Sequence, residues 1–152
     1  MEQRVSIVTL GVADVAASKR FYERLGWAAG MDVQETVFFQ IGDLLLILWG
    51  RDKLAADSGV SDTGGWGGVT LAHNVHSNDE VDRLWSALTA DGGEAGRCGW
   101  LKDRFGLSWQ IIPERLGELL GDPDRERAGR AMQAMLQMGR IEVAGLDAAA
   151  DG

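Results

Sequence analysis

Residues 8–27, "VTLGVADVAASKRFYERLGW", and residues 69–93, "VTLAHNVHSNDEVDRLWSALTADGG", carry the same strand-then-helix pattern twice. In the first copy Val8, Leu10 and Val12 alternate along a strand. Asp14 is placed to cap a helix, Val15, Phe21, Tyr22 and Leu25 fall largely on one face, and Gly26 can end it. In the second copy Ser77 and Glu80 have capping-box spacing, and Val81, Leu84, Trp85 and Leu88 recur at helical intervals. "VFFQIGDLLLILW" (37–49) reads as two strands joined at Gly42-Asp43, with a short strand near 28–34. Residues 93–112 supply up to three strands. The pattern is β-α-β-β-β, repeated.

The two copies do not align at one offset. The "VTL" triplets are 61 residues apart, whereas Val12 with Val75, Phe21 with Leu84, Tyr22 with Trp85 and Leu25 with Leu88 are all 63 apart. Gly42 with Gly106 gives 64. The helix offset carries more weight because it superposes whole amphipathic faces.

At 152 residues the length suits one domain. We divide it into module one (1–50), a connecting loop (51–66), module two (67–113) and a C-terminal helical tail (114–152). The loop is rich in Gly, Asp and Ser; it either tucks against the fold or, through Trp66, closes over a ligand. In the tail "ERLGELL" starts a helix, and Asp122-Pro123 caps and opens a longer one through about Gly139. Met132, Met135, Leu136 and Met138 form its apolar stripe, suited to core or dimer packing or to a Met-rich binding surface.

The net charge of -8 argues against nucleic acid or an anionic membrane, which need a basic face, and suits a neutral or cationic ligand or simple solubility. No window approaches a membrane span, and "MEQRVSIVTL" lacks the pattern of a secretory signal. The lone Cys98 cannot form an internal disulfide, which fits a cytoplasmic location. His73 and His76 lie three apart on or beside a strand and point to opposite faces, so they do not chelate.

The repeat, with "GGVTLAHNV" at 67–75 and the strand ending at Ile112, resembles the vicinal oxygen chelate superfamily of glyoxalase I, bleomycin-resistance proteins and extradiol dioxygenases. The stretch "EVDRLWSALTADGGEAGRCGWLKDRFGLSWQIIPERLGELLGDPD" and the tail "RAMQAMLQMGRIEVAGL" look like its PhnB-type branch. The resemblance implies an α+β fold in which two βαβββ modules form a cupped mixed sheet, with C-terminal helices added. The metal enzymes of that group carry four ligands on the cup. Counted from the helix-opening Asp and the turn glycines, those positions here are Ile7, Leu46, Thr70 and Gln110. Two cannot ligate and threonine is poor, so neither a metal nor another cofactor is expected. On this reading Gln110 is neutral because no cation needs neutralising, and a lone buried carboxylate is costly.

Strand alternation assigns the cup lining, and the connecting loop adds Trp66. The expected ligand-binding residues are Thr9, Phe38, Gln40, Leu46, Leu48, Trp66, Thr70, Asn74, Trp100, Lys102, Ser108 and Gln110, with Leu44 beside Leu46. A leucine wall, a Ser/Thr/Asn/Gln wall and aromatic area suit an apolar organic molecule oriented by a few hydrogen bonds, although the same residues can pack against a neighbour. The expectation is a metal-free small-molecule-binding homodimer, sequestering a drug or natural product as the bleomycin-resistance relatives do. The alternative is a lyase, isomerase or oxygenase in the same cup, with Lys102, Asp103 and Arg104 as acid-base candidates or as a solvated turn. Whether it is an enzyme stays open, leaning to no.

Overall fold

The computed structural model describes residues 2–152 and divides into two compact units, Arg4–Ala72 and His73–Gly152, the latter taking in the chain up to Gln3. The division falls inside one strand, later than the module boundary expected at residue 67.

In the first unit β1 (Ile7–Val12) leads to α1 (Val15–Arg24), then β2 (Met31–Val33), β3 (Thr36–Ile41), β4 (Leu44–Gly50), α2 (Arg51–Asp57) and the start of β5 (Val69–Val75). Hydrogen-bonded neighbours run β2-β3-β4-β1-β5. Only β1–β4 is parallel, as a helical crossover between the two requires. Asp14 caps α1 by accepting from the Ala17 N–H at 2.8 Å. The expected apolar stripe of α1 is only partly used. Val15 and Tyr22 pack on the sheet, but Phe21 and Leu25 are 50% and 57% exposed. Tyr22 stacks on Trp27 (5.0 Å between ring centres), and both lie against Phe39.

Two expectations fail in this unit. The 51–66 connection is not all loop, because α2 forms at its start, and its Leu54 and Ala55 are buried. Burying that pair stabilises a helix too short to persist alone. Secondly, Leu46 and Leu48 do not face away from the helix. They sit in the core with Val37, Phe39, Val8, Leu10 and Tyr22, beneath α1. The count from the turn glycine failed because the two hairpins turn differently. Two residues separate β3 from β4, whereas five separate the corresponding strands of the second unit. One residue of slip inverts every side chain of a strand.

The second unit completes β5 and continues through α3 (Asn78–Thr89), β6 (Glu94–Ala95), β7 (Trp100–Lys102), β8 (Ser108–Pro113), α4 (Glu114–Leu120), α5 (Arg125–Gln137) and α6 (Val143–Asp151). Its sheet order is β5-β8-β7-β6. Val75, Leu101 and Ile111 bury against Val81 and Leu84 of α3, with Trp85, Leu88 and Trp109 around them. The alternation read for β8 therefore holds. The tail has its own core of Leu116, Leu119, Ala131, Ile141, Leu146 and Ala150, against which Met135 and Met138 pack, while Met132 and Leu136 stay 38% and 44% exposed. Its last helix, α6, was not foreseen, and α5 is capped by Asp124 rather than Asp122.

The capping box at α3 is shared. Ser77 Oγ accepts the Glu80 N–H at 3.3 Å, but the Glu80 carboxylate takes the N–H of His76. His76 Nδ1 also lies 2.8 Å from Glu114 Oε2 at the start of α4. That hydrogen bond, helped by the charge of Glu114, holds the imidazole above its ordinary value of 6.5. A raised histidine stabilises the fold fully below its ordinary pKa, and the contribution is lost as pH rises through the folded value. Proton NMR should therefore give His76 a titration midpoint above that of a free imidazole, and Glu114→Gln should lower it. An unchanged midpoint in the variant would remove Glu114 as the cause.

Candidate functional site

The cross-strand register fixes the sheet face turned away from α1 in the first unit. Thr9 stands opposite both Ile47 on β4 and Thr70 on β5. Ile7 stands beside Leu45 and Ala72, and Gly11 beside Trp49. Further out, Phe38 pairs with Ile47 and Met31, and Gln40 with Leu45. Partners in register share a face, so Leu45, Ile47 and Trp49 form its aliphatic and aromatic wall. They replace the expected Leu44, Leu46 and Leu48. The helix-derived offset of 63, counted back from Gln110, lands on Ile47, and that signal was available in the sequence.

Thr9 and Thr70 lie at the buried centre of this face (7% and 1% exposed), whereas Met31 and Val33 at its edge are 55% and 50% exposed. Gln40 is on the face, but its amide nitrogen donates to the Gly42 and Leu44 carbonyls at 2.7 and 3.3 Å and braces the turn. Trp66 follows α2, with its ring 5.3 Å beneath the Arg51 guanidinium.

In the second unit Trp100 pairs with Gln110, and Lys102 with Ser108, on the face away from α3. Asn74 joins them by alternation with the core residue Val75. The structure thus gathers Trp100, Lys102, Ser108, Gln110 and Asn74 on one face. Trp100 and Ser108 are buried, and Ser108 Oγ has no hydrogen-bond partner among the described residues. A buried hydroxyl without a partner costs free energy unless something arrives to pair with it.

Gln110 now has a structural reason to be an amide. Its Nε2 donates to the Cys98 carbonyl at 3.0 Å, and Cys98 holds a left-handed φ of 55°. An ionised carboxylate cannot donate that bond. Gln110→Glu should therefore lose about 1–3 kcal/mol of stability at neutral pH. Urea denaturation would check this, and the deficit should shrink below about pH 4, where a carboxylic acid can donate.

Of the acid-base candidates, Asp103 is occupied as a turn builder. Its Oδ1 accepts the N–H groups of Phe105 and Leu107 at 2.9 and 3.1 Å, and its Oδ2 accepts the Trp109 indole N–H at 3.1 Å. Lys102 Nζ lies 3.5 Å from Glu94, and Arg104 3.5 Å from Asp91. These contacts favour the solvated turn. Elsewhere, a groove of about 840 Å³ opens on the α1 side of the first unit. The pairs Lys19–Asp32 (2.8 Å) and Lys53–Glu35 neutralise each other along it, which suits a hydrated seam better than an organic ligand.

The donor chemistry does not fit the metal of the chelate enzymes that the sequence resembles. Among the described residues no three His, Cys, Asp or Glu side chains gather where they could hold an ion. The β4 position is aliphatic whichever way it is counted, Leu46 or Ile47. Nor is any helix among these residues long and apolar enough to cross a membrane.

Residues 40–112 match the family described as 3-demethylubiquinone-9 3-methyltransferase. A glyoxalase-related enzyme from Fulvimarina pelagi is 36% identical, over 73% of this chain and 88% of that one, with a TM-score of 0.40. A glyoxalase/bleomycin resistance protein/dioxygenase superfamily member from Vibrio splendidus 12B01 is 14% identical over 72% and 97% of the two chains, with a TM-score of 0.48. A hypothetical protein from Bacillus halodurans C-125, 13% identical over 74% and 95%, has a TM-score of 0.51 and is alike in fold. No curated protein matches the chain.

Proposed function

We propose, from the premise that this chain belongs to the glyoxalase/bleomycin resistance/dioxygenase superfamily, that it binds a small, largely apolar organic molecule without the family's metal. The observation that carries this reading is the set of side chains at the inherited ligand positions. Ile7 and either β4 residue offer no donor and Thr70 is a poor ligand, which leaves the amide oxygen of Gln110 as the one good donor where about three are needed. What surrounds those positions is aliphatic and aromatic surface with a few polar groups, the make-up of an organic-ligand site. On the first unit's face Thr9 and Thr70 would orient a ligand, and Phe38, Ile47 and Trp49 would supply contact area; on the second unit's own face Ser108 and Trp100 offer the same pairing of a polar group with a ring. Sequestration of a drug or natural product in the cytoplasm is the form of binding we favour. With Asp103 engaged in its turn, the lyase, isomerase or oxygenase alternative loses one of its acid-base candidates. We further propose a homodimer, supported by the exposed Met132 and Leu136 of α5, to be checked by light scattering.

The test is a tryptophan-fluorescence screen of neutral aromatic compounds, run with and without a chelator and paired with elemental analysis after dialysis. Binding should be unaffected by the chelator, and Ile47→Ala should weaken it about tenfold or more, as truncation of a buried aliphatic contact does. One retained equivalent of zinc, nickel, iron or manganese would overturn the metal-free reading.

A further inference from the structure

Residues 59–68, "GVSDTGGWGG", hold five glycines and form no helix or strand apart from isolated bends. Gly59, Gly64 and Gly68 have φ of 67°, 94° and 71°, a region that favours glycine. Residues 61–65 and Gly67 are exposed, so little apolar burial holds the segment down. Backbone bonds pin its two ends, the Val60 N–H to the Ala55 carbonyl at 2.8 Å and the Gly11 N–H to that of Gly68 at 2.6 Å, and the exposed stretch between them is held by one side chain from α2. Arg51 Nε donates to Asp62 Oδ2 at 2.5 Å and Nη2 to Oδ1 at 3.4 Å. Nη2 also donates to the Trp66 carbonyl, and the guanidinium lies over the Trp66 ring. Asp62 Oδ1 in turn accepts the Gly64 N–H at 3.1 Å.

The guanidinium also occupies a particular place. A Cβ on Gly68 would collide with Arg51 Nη1 and would lie 3.1 Å from the Gly11 carbonyl oxygen. The Gly11 N–H donates to the Gly68 carbonyl at 2.6 Å. Gly11 stands beside Trp49 on the same face as Thr9, and a Cβ there would meet Arg51 Cα and Leu54 Cδ2, each at 3.3 Å. The segment and α2 therefore close the Gly11–Trp49 end of the first unit's sheet face.

We propose that residues 59–68 are a strap that opens and closes over that end of the face, and that Arg51 is its latch. The gating half rests on the ligand-binding reading above; the latch does not. Glycine-rich, exposed backbone supplies the low local stability that a moving element needs. A forked guanidinium, stacked on an indole and paired with a carboxylate, supplies a closed state that lysine would not reproduce. The Arg51 hydrogen bond holds Asp62 below the usual carboxylate range, so the pair is charged across neutral pH. The two side chains are 33% and 20% exposed, so salt reaches them and weakens the closure.

Hydrogen exchange on the full-length protein tests the latch. In Arg51→Gln and in Asp62→Asn, amides of residues 61–67, Gly64 above all, should exchange about tenfold faster or more, while those of β1 and β4 keep the parent rate. Salt should accelerate the strap in the parent and not in the variants. If neither variant changes strap exchange, the latch is overturned. The gate is tested by stopped-flow binding of anilinonaphthalene sulfonate, whose association should quicken in both variants. Faster strap exchange with unchanged dye association overturns the gate and leaves the latch standing. If Ile47→Ala leaves dye affinity intact, the ligand-face reading fails with the gate, and exchange alone still decides the latch.

Discussion

Leu48→Ala should lose about 2–5 kcal/mol of folding stability, the cost of emptying a fully enclosed leucine site. Leu48 is 0% exposed, stands beside Leu10 and Val37 in register, and belongs to the core under α1. Its neighbour Ile47 is half-buried on the opposite face. Ile47→Ala should therefore cost clearly less stability and act on ligand binding instead. Urea denaturation of both variants measures the difference, and the comparison is sharp because adjacent strand residues cannot share a face. If Ile47→Ala proved the more destabilising, β4 would be one residue out of register and the leucine wall would return to the binding face.

Gly99→Ala should cost about 3 kcal/mol or more, combining left-handed backbone strain with overpacking. Gly99 has φ of 80°, and a Cβ there would lie 2.8 Å from the Ile111 carbonyl oxygen and 2.9 Å from Ile141 Cδ1. Neither neighbour yields cheaply. Ile111 is a central strand residue whose N–H donates to the Gly99 carbonyl at 3.0 Å, and Ile141 is buried at the start of the tail's final segment. The Gly99 N–H itself donates to Gly139 at 2.8 Å, so a displaced backbone would also loosen the tail. Gly64→Ala is the control. Its φ of 94° is equally unfavourable, but nothing lies within 4 Å of the new carbon. It should cost only the backbone term, about 1–2 kcal/mol. Equal costs for the two would mean that the space around Gly99 is looser than it stands.

Element type was legible wherever chemistry is local. Asp14 and Ser77 cap the helices they were expected to cap, and the period-2 runs became strands in the expected order. The faces of β1, β5, β7 and β8 followed from alternation. β4 did not, because its run of leucines is apolar on both sides and offers no alternation to read. Helix α2 was missed because a seven-residue helix has little propensity of its own, and its packing against β1, far back in the chain, decides it.

The sequence by itself determined the repeated β-α-β-β-β plan, the caps and turns that punctuate it, and the scarcity of soft ligands, two histidines and one cysteine. Each of these depends on residue identity at short range, where side-chain size, charge and backbone preference act directly. Only the tertiary structure decided which β4 residues lie on the sheet face turned away from α1, why Gln110 must donate a hydrogen bond to Cys98, and that Arg51 reaches across to Asp62 and Trp66. Those outcomes depend on register and on the meeting of residues far apart in the chain. Two hairpins of unequal turn length are enough to invert a strand that carries leucine on both faces.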